Sequence, residues 1–209
     1  MMACNTVYVV DDNDAFRRST QWLLESYGFR VECFGDGPTF VGSLEGSCDA
    51  PTTGSPACVL LDVRMPGMSG LEVQAALQER QLRLPVIFLT AHGDVPLAVE
   101  AMRRGAYSFL EKPCSDQELA SVIEQAQAYA RGDVAHPRAD AEVKARHESL
   151  TARERQVLDL VTEGALNKTI ADRLGISIKT VELHRSHVME KMGAKSLAHL
   201  IRLTIQVQG

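Results

Sequence analysis

The sequence predicts a doubly wound α/β domain on a five-stranded parallel sheet, followed by a small all-α domain of four short helices. Three observations lead there. Over residues 1–131, short β-branched runs alternate five times with segments of helical period, the pattern of a parallel sheet with helices on both faces. From Leu150 onward the apolar period is helical throughout. Between them, residues 132–149 are polar, include Gly132 and Pro137, and carry no strand signal. They read as a linker with helical character after Pro137. The expected organisation is therefore 1–131, linker 132–149, and 150–209.

In the first domain the strand signals are Thr6–Val10, Arg30–Phe34, Ala57–Leu61, Pro85–Leu89 and Tyr107–Leu110. Helical stretches lie near 14–27, 37–45, 70–80, 95–104 and 116–130, the last opened by the capping box Ser115-Asp116-Gln117-Glu118. In the second, Thr151-Ala152-Arg153-Glu154 is another capping box, and Val157, Leu158, Leu160 and Val161 give its helix an apolar face. Gly164 ends that helix, Asn167–Leu174 forms a short one and Gly175 breaks it. Ser177 caps a third helix to about Met192, and Ser196–Gln206 makes a fourth. Four short helices with a glycine-bearing turn between the second and third fit a helix-turn-helix.

Composition excludes several classes. The chain is 45% hydrophobic and 23% charged, which describes a globular protein. No apolar run reaches the roughly 18 residues a membrane span needs, and Met1 to Asn5 has no basic n-region or cleavable apolar segment, so the cytoplasm is the expected compartment. The five cysteines, Cys4, Cys33, Cys48, Cys58 and Cys114, form no C-x-x-C pair and are odd in number, so they read as reduced thiols. Charge is segregated: residues 1–131 carry 10 basic and 17 acidic side chains, residues 150–209 carry 9 and 6. That asymmetry suggests a polyanionic partner for the C-terminal end.

In an open α/β sheet, ligands sit outside the carboxyl ends of the strands. Asp11 and Asp12 follow the first strand, Asp62 the third, Thr90 the fourth and Lys112 the fifth. Three convergent carboxylates repel one another unless a cation joins them, and an all-oxygen site suits hydrated Mg²⁺. A carboxylate beside Mg²⁺ can attack a phosphoryl group while a lysine neutralises the transferring oxygens. Taken singly, Asp-Asp after a strand is a helix cap and Lys-Pro a turn; at successive strand ends they point together to one site.

Val9-Val10-Asp11-Asp12, Leu61-Asp62-Val63-Arg64-Met65-Pro66-Gly67-Met68-Ser69-Gly70, Leu89-Thr90-Ala91-His92-Gly93-Asp94 and Phe109-Leu110-Glu111-Lys112-Pro113 resemble the receiver-domain signature of two-component response regulators, in its FixJ-like form. The resemblance covers residues 5 to about 130 and implies a flavodoxin-like receiver. It implies that Asp62 accepts a phosphoryl group from a sensor histidine kinase. It further implies that Asp12, Asp62 and the Arg64 carbonyl bind Mg²⁺ directly, with Asp11 acting through coordinated water. Thr90 and Lys112 would hold phosphoryl oxygens, Lys112-Pro113 would be cis, and Phe109 would fill the space that Thr90 vacates on activation. From pattern alone Phe109 is an ordinary core aromatic; Tyr107 has a weaker case for a switch. Gly67 and Gly70 read as loop geometry. Arg64 and His92 flank the path of attacking water. Repacking at Phe109 would alter the face from Val95 to Leu110, through which the resemblance implies phosphorylation-dependent homodimerisation.

Leu150-Thr151-Ala152-Arg153-Glu154, Gly164, Asn167-Lys168-Thr169-Ile170-Ala171, Leu174-Gly175-Ile176-Ser177, Thr180-Val181-Glu182-Leu183-His184 and Lys191-Met192 resemble a LuxR-type helix-turn-helix over about 150–206. Ile170, Ala171, Leu174, Ile176, Val181 and Met189 read as its core. The helix from Ile178 would enter the major groove of promoter DNA. Candidate contacts are Lys179, Thr180, Glu182, Leu183, Arg185 and Ser186, with Asn167, Lys168 and Lys191 on phosphates. Glu182 is open between accepting from cytosine N4 and a solvated or Lys179- or Arg185-paired role; His184 reads as packing or phosphate contact.

These readings predict a transcription regulator that is not an enzyme, with kinase, promoter DNA, a second copy of itself and RNA polymerase as partners. Two alternatives stand beside it. An aspartyl phosphatase would need a second Asp two residues after the nucleophile, where this chain has Arg64. A protein-recruiting helical domain would give DNA binding that is absent or insensitive to salt.

Overall fold

The computed structural model describes residues 5–44, 57–82, 84–90, 95–132 and 141–208. By its packing the chain divides into two compact units, residues 1–91 with 105–136 and residues 92–104 with 137–209. Cys4, Cys48, His92 and Pro137, for which the sequence raised expectations, lie outside the described residues.

The first unit is built on strands β1 (Thr6–Val10), β2 (Arg30–Phe34), β3 (Ala57–Asp62), β4 (Val86–Thr90) and β5 (Ser108–Glu111), paired in parallel in the order β2-β1-β3-β4-β5. Strands β1, β3 and β4 are buried almost along their length, as continuous Val, Ile and Leu runs covered on both faces must be, whereas edge strand β2 is partly exposed. Alternation sorts β1 between faces. Val7 and Val9 join Leu24 of α1 (Asp14–Ser26) and Leu119 and Ile123 of α5 (Asp116–Arg131) in one core. Tyr8 packs on the opposite face against Phe40 of α2 (Gly37–Leu44), with ring centroids 5.6 Å apart. The remaining helix of this unit is α3 (Gly70–Glu79). Strand β5 begins at Ser108, one residue later than the apolar pattern suggested; Tyr107 precedes it, donating its N–H to Val86 O at 2.8 Å and packing against Tyr129 of α5, at 5.5 Å between centroids.

The second unit holds α4 (Val95–Arg103), α6 (Ala141–Glu148), α7 (Ala152–Thr162), α8 (Asn167–Leu174), α9 (Ile178–Met192) and α10 (Leu197–Gln208). Besides the four helices expected after Leu150, the helical character read after Pro137 takes shape as α6, in the second half of the polar segment. Its Val143 packs on the helical core, and Arg146 Nη1 donates to the carbonyl of Met192 at 3.3 Å, satisfying an oxygen at the end of α9. Ile170, Ala171 and Val181 are buried as expected, while Leu174, Ile176 and Met189 are half-buried at the margin and Val188 and Met192 fill the centre. Gly175, at φ 64°, makes the left-handed turn between α8 and α9 that a β-carbon would strain. Ser177 then caps α9 by accepting from Thr180 N at 3.1 Å.

Candidate functional site

The order β2-β1-β3 places a topological switch point between β1 and β3, where successive crossovers leave the sheet in opposite directions and open a crevice at the strand ends. Asp11 and Asp62 border it. Gly70 supports the floor: a β-carbon there would collide with the carbonyl oxygen of Asp62 and the ring of Phe88, and Gly70 N donates to Val63 O at 3.0 Å. Gly70 opens α3 and is required by close packing beneath Asp62, whereas the loop geometry expected of both glycines is seen at Gly67, with φ 78°.

Lys112, just past β5, joins the two acids. Its Nζ lies 2.6 Å from Asp11 Oδ2 and 2.5 Å from Asp62 Oδ1. The other carboxylate oxygens accept backbone hydrogen bonds, Asp11 Oδ1 from Asn13 N at 2.8 Å and Asp62 Oδ2 from Arg64 N at 2.8 Å. Burial pushes the Asp62 carboxyl above the usual range; the Lys112 hydrogen bond and charge oppose this and the Asp11 charge adds to it. For Lys112, burial acts to lower the ammonium's value, but hydrogen bonds and charges from both acids outweigh it and leave it raised. The Lys112-Pro113 peptide bond is cis.

Two residues that the motif reading passed over complete the surroundings. Arg17 Nη1 donates to the Asp11 carbonyl at 2.5 Å while Nη2 pairs with Asp14 at 3.1 Å, pinning the loop between β1 and α1. The ring of Phe16 lies under Lys112, with Nζ 4.2 Å from its centroid. Neither belongs to a strand-end motif; the only sequence signal was their place in the first turn of α1, after the Asn13 cap.

Thr90 is 1% exposed and its Oγ1 donates to Leu110 O at 3.4 Å, along the sheet towards β5. Phe109 is buried and pairs with Phe88 across β4 and β5. Asp12 is exposed. Among the described residues no three His, Cys, Asp or Glu side chains are gathered closely enough to hold a metal, so Asp12 does not join Asp11 and Asp62 in this arrangement. The donor chemistry nonetheless fits a hard cation: acidic oxygens outnumber the single ammonium, and repulsion from Asp11 still raises Asp62.

In the second unit, Lys168, Lys179, Glu182, Leu183 and Ser186 are exposed along α8 and α9, and Thr180 is half-buried. Arg185 and Asn167 are tied together, Arg185 Nη1 donating to Asn167 Oδ1 at 2.6 Å. Lys191 is placed differently from a side chain awaiting phosphate. Its Nζ is 2.6 Å from Glu154 Oε2, which also accepts from Thr151 N at 2.8 Å. The Lys191 hydrogen bond, first, and the Thr151 backbone hold the Glu154 carboxyl down at about 2. Sequence reading credited Glu154 with the capping box alone, since its tie to Lys191 spans two helices. Among the described residues, His184 Nδ1 is buried without a hydrogen-bond partner.

A parallel five-stranded sheet with an Asp-Asp-Lys crevice, joined to a helix-turn-helix unit, defines a class in which a phosphoacceptor module governs a DNA-binding one. Residues 7–124 match the response regulator receiver domain and residues 148–204 match the bacterial regulatory proteins of the luxR family. The chain belongs to the response regulators that join a receiver to a LuxR-type DNA-binding domain. Among curated proteins it is 42% identical to the transcriptional regulatory protein FixJ of Bradyrhizobium diazoefficiens, covering 96% of this chain and 94% of that one. It is 39% identical to the response regulator protein TmoT of Ectopseudomonas mendocina, over 96% and 88%. The crystal structure of full-length FixJ from B. japonicum aligns over 98% of this chain and 97% of that one, with a TM-score of 0.57 and 42% identity. Phosphorylation-dependent activation is typical of this family, and its receivers generally bind Mg²⁺ at the phosphorylation site.

Proposed function

We propose that residues 1–131 form the receiver, 132–149 the connecting segment and 150–209 the DNA-binding domain, with Asp62 as phosphoacceptor. The observation that carries this is the bridging of Asp11 and Asp62 by Lys112 at the switch point of the sheet. A carboxylate oxygen of Asp62 attacks the phosphorus of a kinase phosphohistidine; the O–P bond forms as the P–N bond breaks, and the bonding pair stays with the imidazole nitrogen. Lys112 then pairs with a phosphoryl oxygen. Asp11, Asp12, Asp62 and the Arg64 carbonyl would hold Mg²⁺, which supplies charge neutralisation at the transferring oxygens. Thr90 turns from Leu110 O to the phosphoryl group, and Phe109 adjusts to the space it leaves.

The output is a cytoplasmic transcription regulator, dimeric when phosphorylated, that reads promoter DNA through α9 and works with RNA polymerase. Lys179, Thr180, Glu182, Leu183, Arg185 and Ser186 face the groove, with Asn167 and Lys168 on phosphates. Lys191 keeps its phosphate role only by exchanging Glu154 for DNA. No turnover of small phosphate esters accompanies this function.

Treatment with phosphoramidate and Mg²⁺, followed by intact mass, should show one phosphoryl group on the wild type and none on Asp62→Asn. Sedimentation should show dimers only in the phosphorylated wild type, and selection from a random duplex pool should return paired half-sites. A phosphoryl group retained by Asp62→Asn would overturn the assignment.

A further inference from the structure

An ammonium has three N–H donors. In this site Asp11 Oδ2 and Asp62 Oδ1 take two of the Lys112 contacts. Beside them, the Phe16 ring lies 4.2 Å from Nζ. The face of an aromatic ring is electronegative, and an ammonium held over it is attracted while water is kept from that side. Phe16 is fixed in place from both directions. Its N–H donates to the Asn13 cap at 3.0 Å, and the next residue, Arg17, holds the Asp11 carbonyl. Its side chain also packs at the margin of the core shared by α1 and α5. With Leu23, Pro113, Cys114 and Leu119 it lines an open groove of about 320 Å³ that has Lys112 at one edge.

We propose that Phe16 is a positioning residue for phosphoryl transfer, an aromatic platform that holds the Lys112 ammonium between Asp11 and the phosphoacceptor. This rests on the reading of Asp62 as phosphoacceptor. The lysine stem is long and flexible, and a charge that wanders towards solvent reaches the transferring oxygens only part of the time. Two carboxylates attract the ammonium; the ring restricts where it sits between them. Filling the α1–α5 core would require only an apolar side chain of suitable bulk. Holding a cation requires the π-face.

The full-length protein therefore separates the two roles through Phe16→Leu and Phe16→Tyr. Leucine keeps an apolar side chain without a ring; tyrosine keeps the ring. With phosphoramidate and Mg²⁺, the maximal phosphorylation rate should fall about five-fold in Phe16→Leu, the size of an ammonium–aromatic contact at a partly exposed site, and return to near wild type in Phe16→Tyr. The thermal midpoint of each variant is read alongside. In ¹³C-lysine spectra the Lys112 ε-CH₂ protons should be shifted upfield by the ring in wild type and Phe16→Tyr, and lose that shift in Phe16→Leu. A Phe16→Leu protein phosphorylated at the wild-type rate, or a Phe16→Tyr protein as slow as Phe16→Leu, would overturn the proposal. Wild type that takes no phosphoryl group would instead sink the phosphoacceptor reading, and the lysine shifts alone would then decide whether the platform exists.

Discussion

The two units each contain a buried acid tied to a lysine, and the two are built to opposite ends. In the receiver, one ammonium is shared by Asp11 and Asp62, and the Asp62 carboxyl is raised by burial and by its acidic neighbour. In the helical unit, one carboxylate collects donors, Lys191 and the Thr151 amide. There the Glu154 carboxyl falls to about 2. The direction of the shift separates them. A carboxylate whose donors outweigh its desolvation acts as a fastening, whereas one whose burial and acidic neighbour outweigh its donors favours a further cation or phosphoryl group.

Removing an acid from each cluster should have opposite consequences. Asp11→Asn should lower the phosphorylation rate by about a hundred-fold or more, because an electrostatic element of the transfer site is lost. Its unfolding midpoint should hold or rise, since a like charge beside Asp62 has gone. A fall in midpoint with the rate unchanged would reverse the roles assigned to the two clusters.

Glu154→Gln should do the converse, destabilising the helical unit by about 2 kcal/mol in urea unfolding, the worth of a hydrogen bond between charged groups, while the phosphorylation rate is unaffected. Its pH dependence sharpens the point. Because the folded value lies below the ordinary 4.5, the stabilisation by Glu154 is fully present above about 4.5 and is lost as pH falls through about 2. Acid unfolding should therefore lose this contribution between those limits in the wild type and show no such limb in Glu154→Gln.

Lys191→Gln removes the same hydrogen bond from its 37% exposed end and should cost about 1–2 kcal/mol, the smallest of the three effects, because the glutamine amide can still donate to Glu154. If Lys191 serves only as a fastening, the salt dependence of DNA binding will not change. A salt slope shallower by about one unit would show that it leaves Glu154 to meet a phosphate.

The receiver site was legible because parallel strands end on one side of the sheet, so polar residues placed after successive apolar runs must converge. Asp11, Asp62, Thr90 and Lys112 followed from that rule, and the family resemblance gave them roles. The separation of Asp12 from the pair did not follow, since neighbouring residues on a loop diverge according to local turns. In the helical unit, periodicity located α7 to α10, but α6 lay in a polar segment whose helix is held by Val143 and Arg146 packing on elements far along the chain.

Sequence by itself determined the alternation of elements, the caps at Ser115, Thr151 and Ser177, the breaks at Gly164 and Gly175, and the strand-end residues, because each depends on local period and backbone preference. Only the tertiary structure decided which donor meets which acceptor: Lys112 between two acids, Phe16 beneath it, Glu154 fastened to Lys191, and Arg185 to Asn167. Those pairings join residues up to 101 positions apart, and long side chains choose their partners by the space and charge that packing leaves them, which no local pattern encodes.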